Sequence, residues 1–243
     1  VSSLVVNGAP YSCWQGEGPS AGVRAAVVRL MGCNLSCAWV TPDGVSPCDE
    51  AQTWDARRFN LAEQGTRAEA ADIAKAALAS RPRLVIITGG EPLLHQHQDG
   101  FAELVWTLAT AGVRIEVETN GTQLPDAPAC VSVDQFNVSP KLASSGMTRE
   151  KAANGRALAW FTASRRAVFK FVVTGRGDLA EIEDGWIRPY GLHRDQVWVM
   201  PAGTTPDAIL ETARAVAPAA LARGFNLTLR QHVLIYDQEG EPR

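Results

Sequence analysis

Three cysteines, Cys33, Cys37 and Cys48, crowd into sixteen residues of the chain. The pattern Cys-x3-Cys-x10-Cys supplies three soft thiolates, enough to bind three irons of a cubane cluster and leave the fourth iron open to a small molecule. An iron with an open position is a place for chemistry. Zinc competes for such ligands, but a structural zinc wants four, and none of the four histidines, His95, His97, His193 and His232, is near this loop in sequence. Three unrelated loop cysteines are the remaining alternative. Cys13 and Cys130 read as small, partly buried apolar residues. An odd total of five cysteines, three of them clustered, suits reduced ligands rather than a disulfide framework.

Other polar groups fall at turns. Thr88-Gly89-Gly90-Glu91-Pro92 pairs two glycines, which let a ligand approach the backbone, with a carboxylate; it reads equally as a tight turn with a solvated Glu. Glu118 to Thr122 holds groups suited to a ribose or to capping a helix. Ser139-Pro140-Lys141 offers a hydroxyl and an ammonium that anchor a carboxylate, or else forms a surface turn. Gln15-Gly16-Glu17-Gly18-Pro19 brings an amide and a carboxylate to a glycine-flanked turn, or is a plain hairpin. Arg29, inside an apolar run, is seldom buried without an anion, either a ligand carboxylate or a neighbouring Asp or Glu. His232, in the apolar stretch Leu227 to Tyr236, reads as a structural histidine.

The elements that position these groups are apolar runs rich in β-branched residues: Ala25 to Met31, Leu84 to Thr88, Val113 to Thr119, Val133 to Val138, Ala167 to Val173 and Val197 to Met200. These read as buried strands. Helical patterns alternate with them. Thr66 and Glu69 form a capping box before Ile73, Ala76, Ala77 and Leu78, and a second helix covers Phe101 to Ala111. Thr205 caps a third that opens on Pro206 and stops near Gly224. Alternating continuous strands and helices predict an α/β fold with a parallel sheet. At 243 residues, with long loops, an incomplete (βα)6-type TIM-like barrel fits better than eight units. Four motifs then follow strands, Gly32 to Cys48 the first, Gly89 to Leu94 the second, Asn120 to Thr122 the third and Ser139 to Lys141 the fourth, so these gather at the C-terminal mouth. Trp39 to Arg58 reads as a long irregular loop.

Bulk properties narrow the function. Hydrophobic residues at 46% and charged residues at 20% describe an ordinary globular domain, and one domain is expected over 1–243. A net charge of −3 argues against nucleic acid as a partner. No window suits a membrane span, and the opening residues lack the charged start and apolar run of a signal peptide, so a cytoplasmic protein is expected.

Together, the cysteine loop after the first strand, Gly89-Gly90-Glu91-Pro92 after the second and the later polar turns resemble the radical S-adenosylmethionine (SAM) superfamily. Within it, Tyr11 to Gly18, Arg29 to Asn34, Glu118 to Thr122, Ser139 to Lys141 and Val199-Met200-Pro201 resemble the 7-carboxy-7-deazaguanine synthases along most of the chain. The resemblance implies a radical SAM core, with a short N-terminal hairpin and an extended cluster loop (about 33–58), and a homodimer. It implies a lyase that converts 6-carboxy-5,6,7,8-tetrahydropterin to 7-carboxy-7-deazaguanine with loss of ammonia, in deazapurine (queuosine-type) biosynthesis. A 4Fe-4S cluster on Cys33, Cys37 and Cys48 would reduce SAM, with flavodoxin or ferredoxin as electron donor, and the resulting radical would take hydrogen from C6 of the pterin.

By the same resemblance, Trp39, Gly90, Glu91, Ser139, Pro140 and Lys141 would hold SAM. Trp14, Gln15, Gly16, Glu17, Arg29 and Thr88 would hold the pterin, with Glu17, Arg29 and Thr88 as the catalytic set. The chain departs from the family in two places. Its third cysteine is delayed by an insertion through Pro47, and Glu50 follows Asp49 where Thr or Ser commonly helps bind Mg2+. A carboxylate is also a hard ligand, so a Mg2+ site at Glu50 either survives with altered preference or is lost. The rival readings are an activating enzyme that installs a glycyl radical on a protein partner, and a non-catalytic iron-sulfur carrier.

Overall fold

The computed structural model describes residues 2–41 and 44–236; the C-terminal tail from Gln238, considered as a cover for the substrate, lies outside the described residues. Six strands follow the expected runs: β3 (Arg24–Leu30), β7 (Leu84–Gly89), β8 (Arg114–Thr119), β9 (Gln135–Val138), β10 (Ala167–Val173) and β11 (Val197–Pro201). They pair in parallel, in chain order, and the two-residue β12 (Asn226–Leu227) extends the far edge. At the other edge β1 (Ser3–Val6) and β2 (Tyr11–Trp14) both run antiparallel to β3, and β6 (Thr66–Glu69) pairs with β1. The ten-stranded sheet stays open.

One face of the parallel strands is built of apolar residues, and on the other polar and charged residues stand among apolar ones. Ala26, Val28 and Leu30 of β3, Ile115 and Val117 of β8, and Phe169 and Phe171 of β10 point outward, into one core with Phe101, Leu104, Phe161 and Trp186 of the surrounding helices. The alternate residues, Arg29, Thr88, Glu116, Glu118, Asn137 and Lys170, face the concave side. A period-2 pattern of this kind sets a polar interior against a dry outer layer.

Two expectations are corrected. Thr66 and Glu69 do not form a capping box: they begin and end β6, and Glu69 precedes the helix Ala70–Leu78 without a side-chain cap bond. Pairing with β1, from Ser3↔Glu69 to Val6↔Thr66, outweighs that local preference. The segment Trp39 to Arg58 is not irregular throughout, because β4 (Ala38–Thr41) and β5 (Gly44–Pro47) form an antiparallel ribbon. The third helix is as expected: Thr205 accepts from the Ala208 N–H, Pro206 opens the helix Pro206–Ala222, and Gly224 follows at φ +72°. Among the described residues, no helix is long and apolar enough to cross a membrane.

Candidate active site

Beyond the C-terminal ends of β3, β7, β8 and β9 lies a cavity of about 1400 Å³. That exceeds the roughly 300–1,000 Å³ of a single small-molecule site and suits two ligands side by side. Three cysteines line it, and Glu50 and Asp49 of the same loop meet charged side chains that line it too.

In the cysteine loop, Cys33 follows Gly32, whose φ of +93° turns the chain away from β3. Cys37 leads into the ribbon and Cys48 leaves it, and all three thiols line the cavity. Two turns brace this loop. A Cβ on Gly90 would stand 2.0 Å from the Gly32 carbonyl oxygen and 2.9 Å from the Cys33 Cβ, so the paired glycines let β7 pass directly beneath the cysteine loop. Asn120 donates to Asn34 at 2.9 Å, and Asn34 donates to Thr122 at 2.8 Å, which ties the loop to the turn after β8. Burial raises each thiol, and with Asp49 adjacent it pushes Cys48 up to about 12. Such thiols become thiolates only against a positive centre. Lys141, which donates to Ser139 at 3.0 Å, is the neighbouring cation.

Trp39, Gly90, Ser139 and Lys141 line the same cavity. Glu91 and Pro140 do not. Glu91 is fully buried, its carboxylate accepting from Leu93 N–H at 3.0 Å, the Thr119 hydroxyl at 2.8 Å and Asn120 N–H at 2.6 Å. It fastens the end of β8 to the turn after β7.

The segment after β2 folds into the open side of the sheet. Gln15 donates to one oxygen of Glu118 at 3.2 Å, and Thr88 to the other at 2.8 Å. Glu17 pairs with Lys170 and with Arg230. Burial opposes the charge on Glu17, but the two cations outweigh it and hold the carboxyl down at about 2. Gly16 accepts from Gln231 N–H at 2.8 Å, and its missing side chain makes room for His232. Gly18 N–H donates to Thr228 at 2.8 Å. The gap that the strands leave is therefore sealed by side chains and backbone. Trp14 stands at the rim, 53% exposed.

Arg29 donates to the Tyr11 hydroxyl at 2.8 Å and pairs with Glu50 of the cysteine loop. Asp49 is likewise held by Arg230 at 3.0 Å. Both carboxylates after Cys48 thus face guanidinium groups, and neither stands free for a divalent cation. Among the described residues, no three His, Cys, Asp or Glu side chains converge closely enough to hold a single metal ion.

Sequence reasoning overlooked Lys170, Arg230 and Asn137. Lys170 carried the signal that singled out Arg29, a charge inside an apolar strand. Arg230 carried it too, within the apolar stretch Leu227 to Tyr236, whereas the contact of Asn137 with Glu116 arises only when β8 and β9 pair.

No protein-family model matches the chain. A 7-carboxy-7-deazaguanine synthase of Pyrobaculum aerophilum is 34% identical over 226 residues, which span 93% of this chain and 92% of that protein. One from Halobacterium salinarum is 35% identical, over 98% of this chain and 93% of its own. Among solved structures, QueE from Escherichia coli matches with a TM-score of 0.68 at 25% identity, covering 95% of both chains. SuiB of Streptococcus suis, solved with S-adenosylmethionine, shares the fold at a TM-score of 0.52 and 14% identity, over 82% of this chain and 48% of its own. With relatives of this identity matched along nearly their whole length, the chain belongs to the 7-carboxy-7-deazaguanine synthase family.

Proposed function

We propose that this chain is a radical SAM lyase that converts 6-carboxy-5,6,7,8-tetrahydropterin to 7-carboxy-7-deazaguanine with loss of ammonia. The observation that carries the reading is that one cavity is lined both by the three thiols and by a polar cluster centred on Arg29. Family membership brings a 4Fe-4S cluster and SAM. The residues present fit both: three thiols too spread for a single ion, Cys37 buried and Cys33 and Cys48 half-buried, beside a wall that brings the Gly90 backbone to the cavity.

In this reading Cys33, Cys37 and Cys48 hold the cluster, and Gly90, Ser139, Lys141 and Trp39 hold SAM. Glu91 and Pro140 support that wall from behind. When bound, the pair supplies a radical that abstracts hydrogen from the substrate; the hard chemistry belongs to the cofactor. The chain's own share is orientation. Arg29 takes the pterin carboxylate, a task suited to a planar guanidinium. Thr88 and Gln15, both steered by Glu118, align the ring, while Trp14 and Gly16 border it. Glu17, kept ionised by Lys170 and Arg230, accepts a ring N–H.

The residues after Cys48 do not fit Mg2+ as they stand, because Asp49 and Glu50 are each paired with an arginine. No step here depends on it. The reading further takes 1–243 as one domain, with the β2–β3 hairpin and the cluster loop (about 33–58) as parts of one site; residues 1, 42–43 and 237–243 of that span lie outside those described. It carries a homodimer, a small electron donor such as flavodoxin or ferredoxin, a cytoplasmic location, and neither nucleic acid nor membrane as partner. The net charge of −3 supports the absence of a nucleic-acid partner.

Anaerobic turnover tests the proposal: reconstituted protein, dithionite, SAM and carboxytetrahydropterin, with products followed by mass spectrometry. Formation of 7-carboxy-7-deazaguanine is expected. Deoxyadenosine without the deazaguanine would move the chemistry to another substrate, and neither product from cluster-replete protein would favour an iron-sulfur carrier.

A further inference from the structure

We infer that Glu50 is an internal stand-in for the substrate carboxylate, held on Arg29 at rest and displaced when substrate binds. The inference rests on the proposed reading of Arg29 as the carboxylate site. It concerns a residue at which this chain departs from the family pattern.

The geometry is that of a carboxylate exchange. Arg29 Nη1 pairs with Glu50 Oε1 while Nη2 is occupied by Tyr11, so the same face of the guanidinium that a ligand needs is already taken by a carboxylate. The Arg29 side chain is only 16% exposed, and a buried guanidinium without a counter-ion is costly. A neutral ligand entering here must break the pair and leave the charge uncompensated. A ligand with its own carboxylate replaces what it removes. The site therefore rejects pterins that lack the carboxylate more strongly than an unoccupied arginine would.

Glu50 is built to yield. Its carbonyl is fixed by the N–H and hydroxyl of Thr53, at 2.9 and 2.7 Å, so the backbone stays while the side chain swings. The other carboxylate oxygen already accepts from Gln52 at 2.9 Å. Once released, the side chain retains that partner and gains water, being 23% exposed even at rest.

The test is equilibrium binding to cluster-replete protein without SAM, which removes turnover. The probes are 6-carboxypterin, an oxidised and unreactive analogue, and pterin without the carboxylate. Glu50→Gln is expected to bind 6-carboxypterin about tenfold more tightly than the native chain, the equivalent of about 1.4 kcal/mol for breaking the pair. Pterin, which must break the same pair, should gain by a comparable factor. Glu50→Asp, which keeps the charge but shortens its reach, should gain less. Cluster absorbance and the thermal midpoint report whether each variant is intact. Binding of 6-carboxypterin that is unchanged or weaker in both variants would overturn the exchange and leave the pterin reading in place. Binding to neither the native chain nor Glu50→Gln would overturn both, since that variant is the form expected to bind best.

Discussion

The backbone N–H of Cys48 donates to the carbonyl of Cys37 across 3.2 Å, although ten residues separate the two in sequence. The next rung of the ribbon is Ala38 opposite Pro47. The insertion therefore leaves and returns at one place, and its stem sets the third thiol where a shorter motif would carry it. This resolves the delayed cysteine in physical terms: paired strands convert a long sequence separation into a short spatial one.

Deletion of residues 39–46 follows from that geometry. It joins Ala38 to Pro47 and leaves two residues between Cys37 and Cys48. Paired residues across an antiparallel ribbon lie about 4.5–5.5 Å apart at Cα, against about 3.8 Å for bonded neighbours, so little of the loop need move. The deletion variant should retain native iron and sulfide content after reconstitution, whereas Cys48→Ala should lose it and Cys130→Ala, buried beside Gln96, should not. Loss of the cluster from a folded deletion variant would show that the ribbon does more than return the chain.

The strands were legible because their outer faces are unbroken apolar runs, as in Phe169, Phe171 and Val173, and the helix Pro206–Ala222 because its Thr-Pro start is local chemistry. Thr66 misled for the opposite reason. Its capping signal was local, but β1 needed a partner, and a strand pairing decides more free energy than one cap. In the site, Cys33, Arg29 and Gly90 were legible from their types and positions. The bracing role of Glu91 was not, since nothing in Gly-Gly-Glu-Pro says whether the carboxylate points into the cavity or behind it. Lys170 and Arg230 meet Glu17 only through closure of the barrel gap, a contact between residues 153 and 213 positions apart.

Gly90→Ala should detach the cysteine loop. The added methyl would meet the Gly32 carbonyl at 2.0 Å, and backbone cannot yield as a flexible side chain does. A destabilisation of about 3 kcal/mol is expected for such overpacking, read as a lower urea midpoint of the apoprotein together with loss of reconstituted iron. Unchanged stability with weakened SAM binding would mean that Gly90 serves the ligand alone.

Glu91→Gln separates bracing from ligand contact. All three groups facing the Glu91 carboxylate are donors, so an amide must turn its own NH2 toward at least one of them. A buried donor facing a donor costs about 2 kcal/mol, and the variant should lose stability and activity together. Loss of activity at native stability would place Glu91 on the ligand side.

The Glu17–Lys170 pair gives a pH signature. In the folded chain, the Glu17 carboxyl is held at about 2 against an ordinary 4.5, because Lys170 and Arg230 outweigh the burial that opposes its charge. Between those values the unfolded chain binds the proton and the folded chain does not. Stability from this group is therefore complete above about pH 4.5 and is lost as pH falls toward 2, at up to about 1.4 kcal/mol per pH unit for one proton. Glu17→Gln alone strands the buried Lys170 and should cost about 3–5 kcal/mol at neutral pH. Glu17→Gln combined with Lys170→Met removes both charges, should recover part of that loss, and should flatten the acid limb. Urea midpoints of the apoprotein between pH 3 and 6 measure the difference. Parallel acid limbs for the native chain and the double variant would show that Glu17 is not ionised against Lys170, and would remove the basis for its role as a fixed acceptor of the substrate N–H.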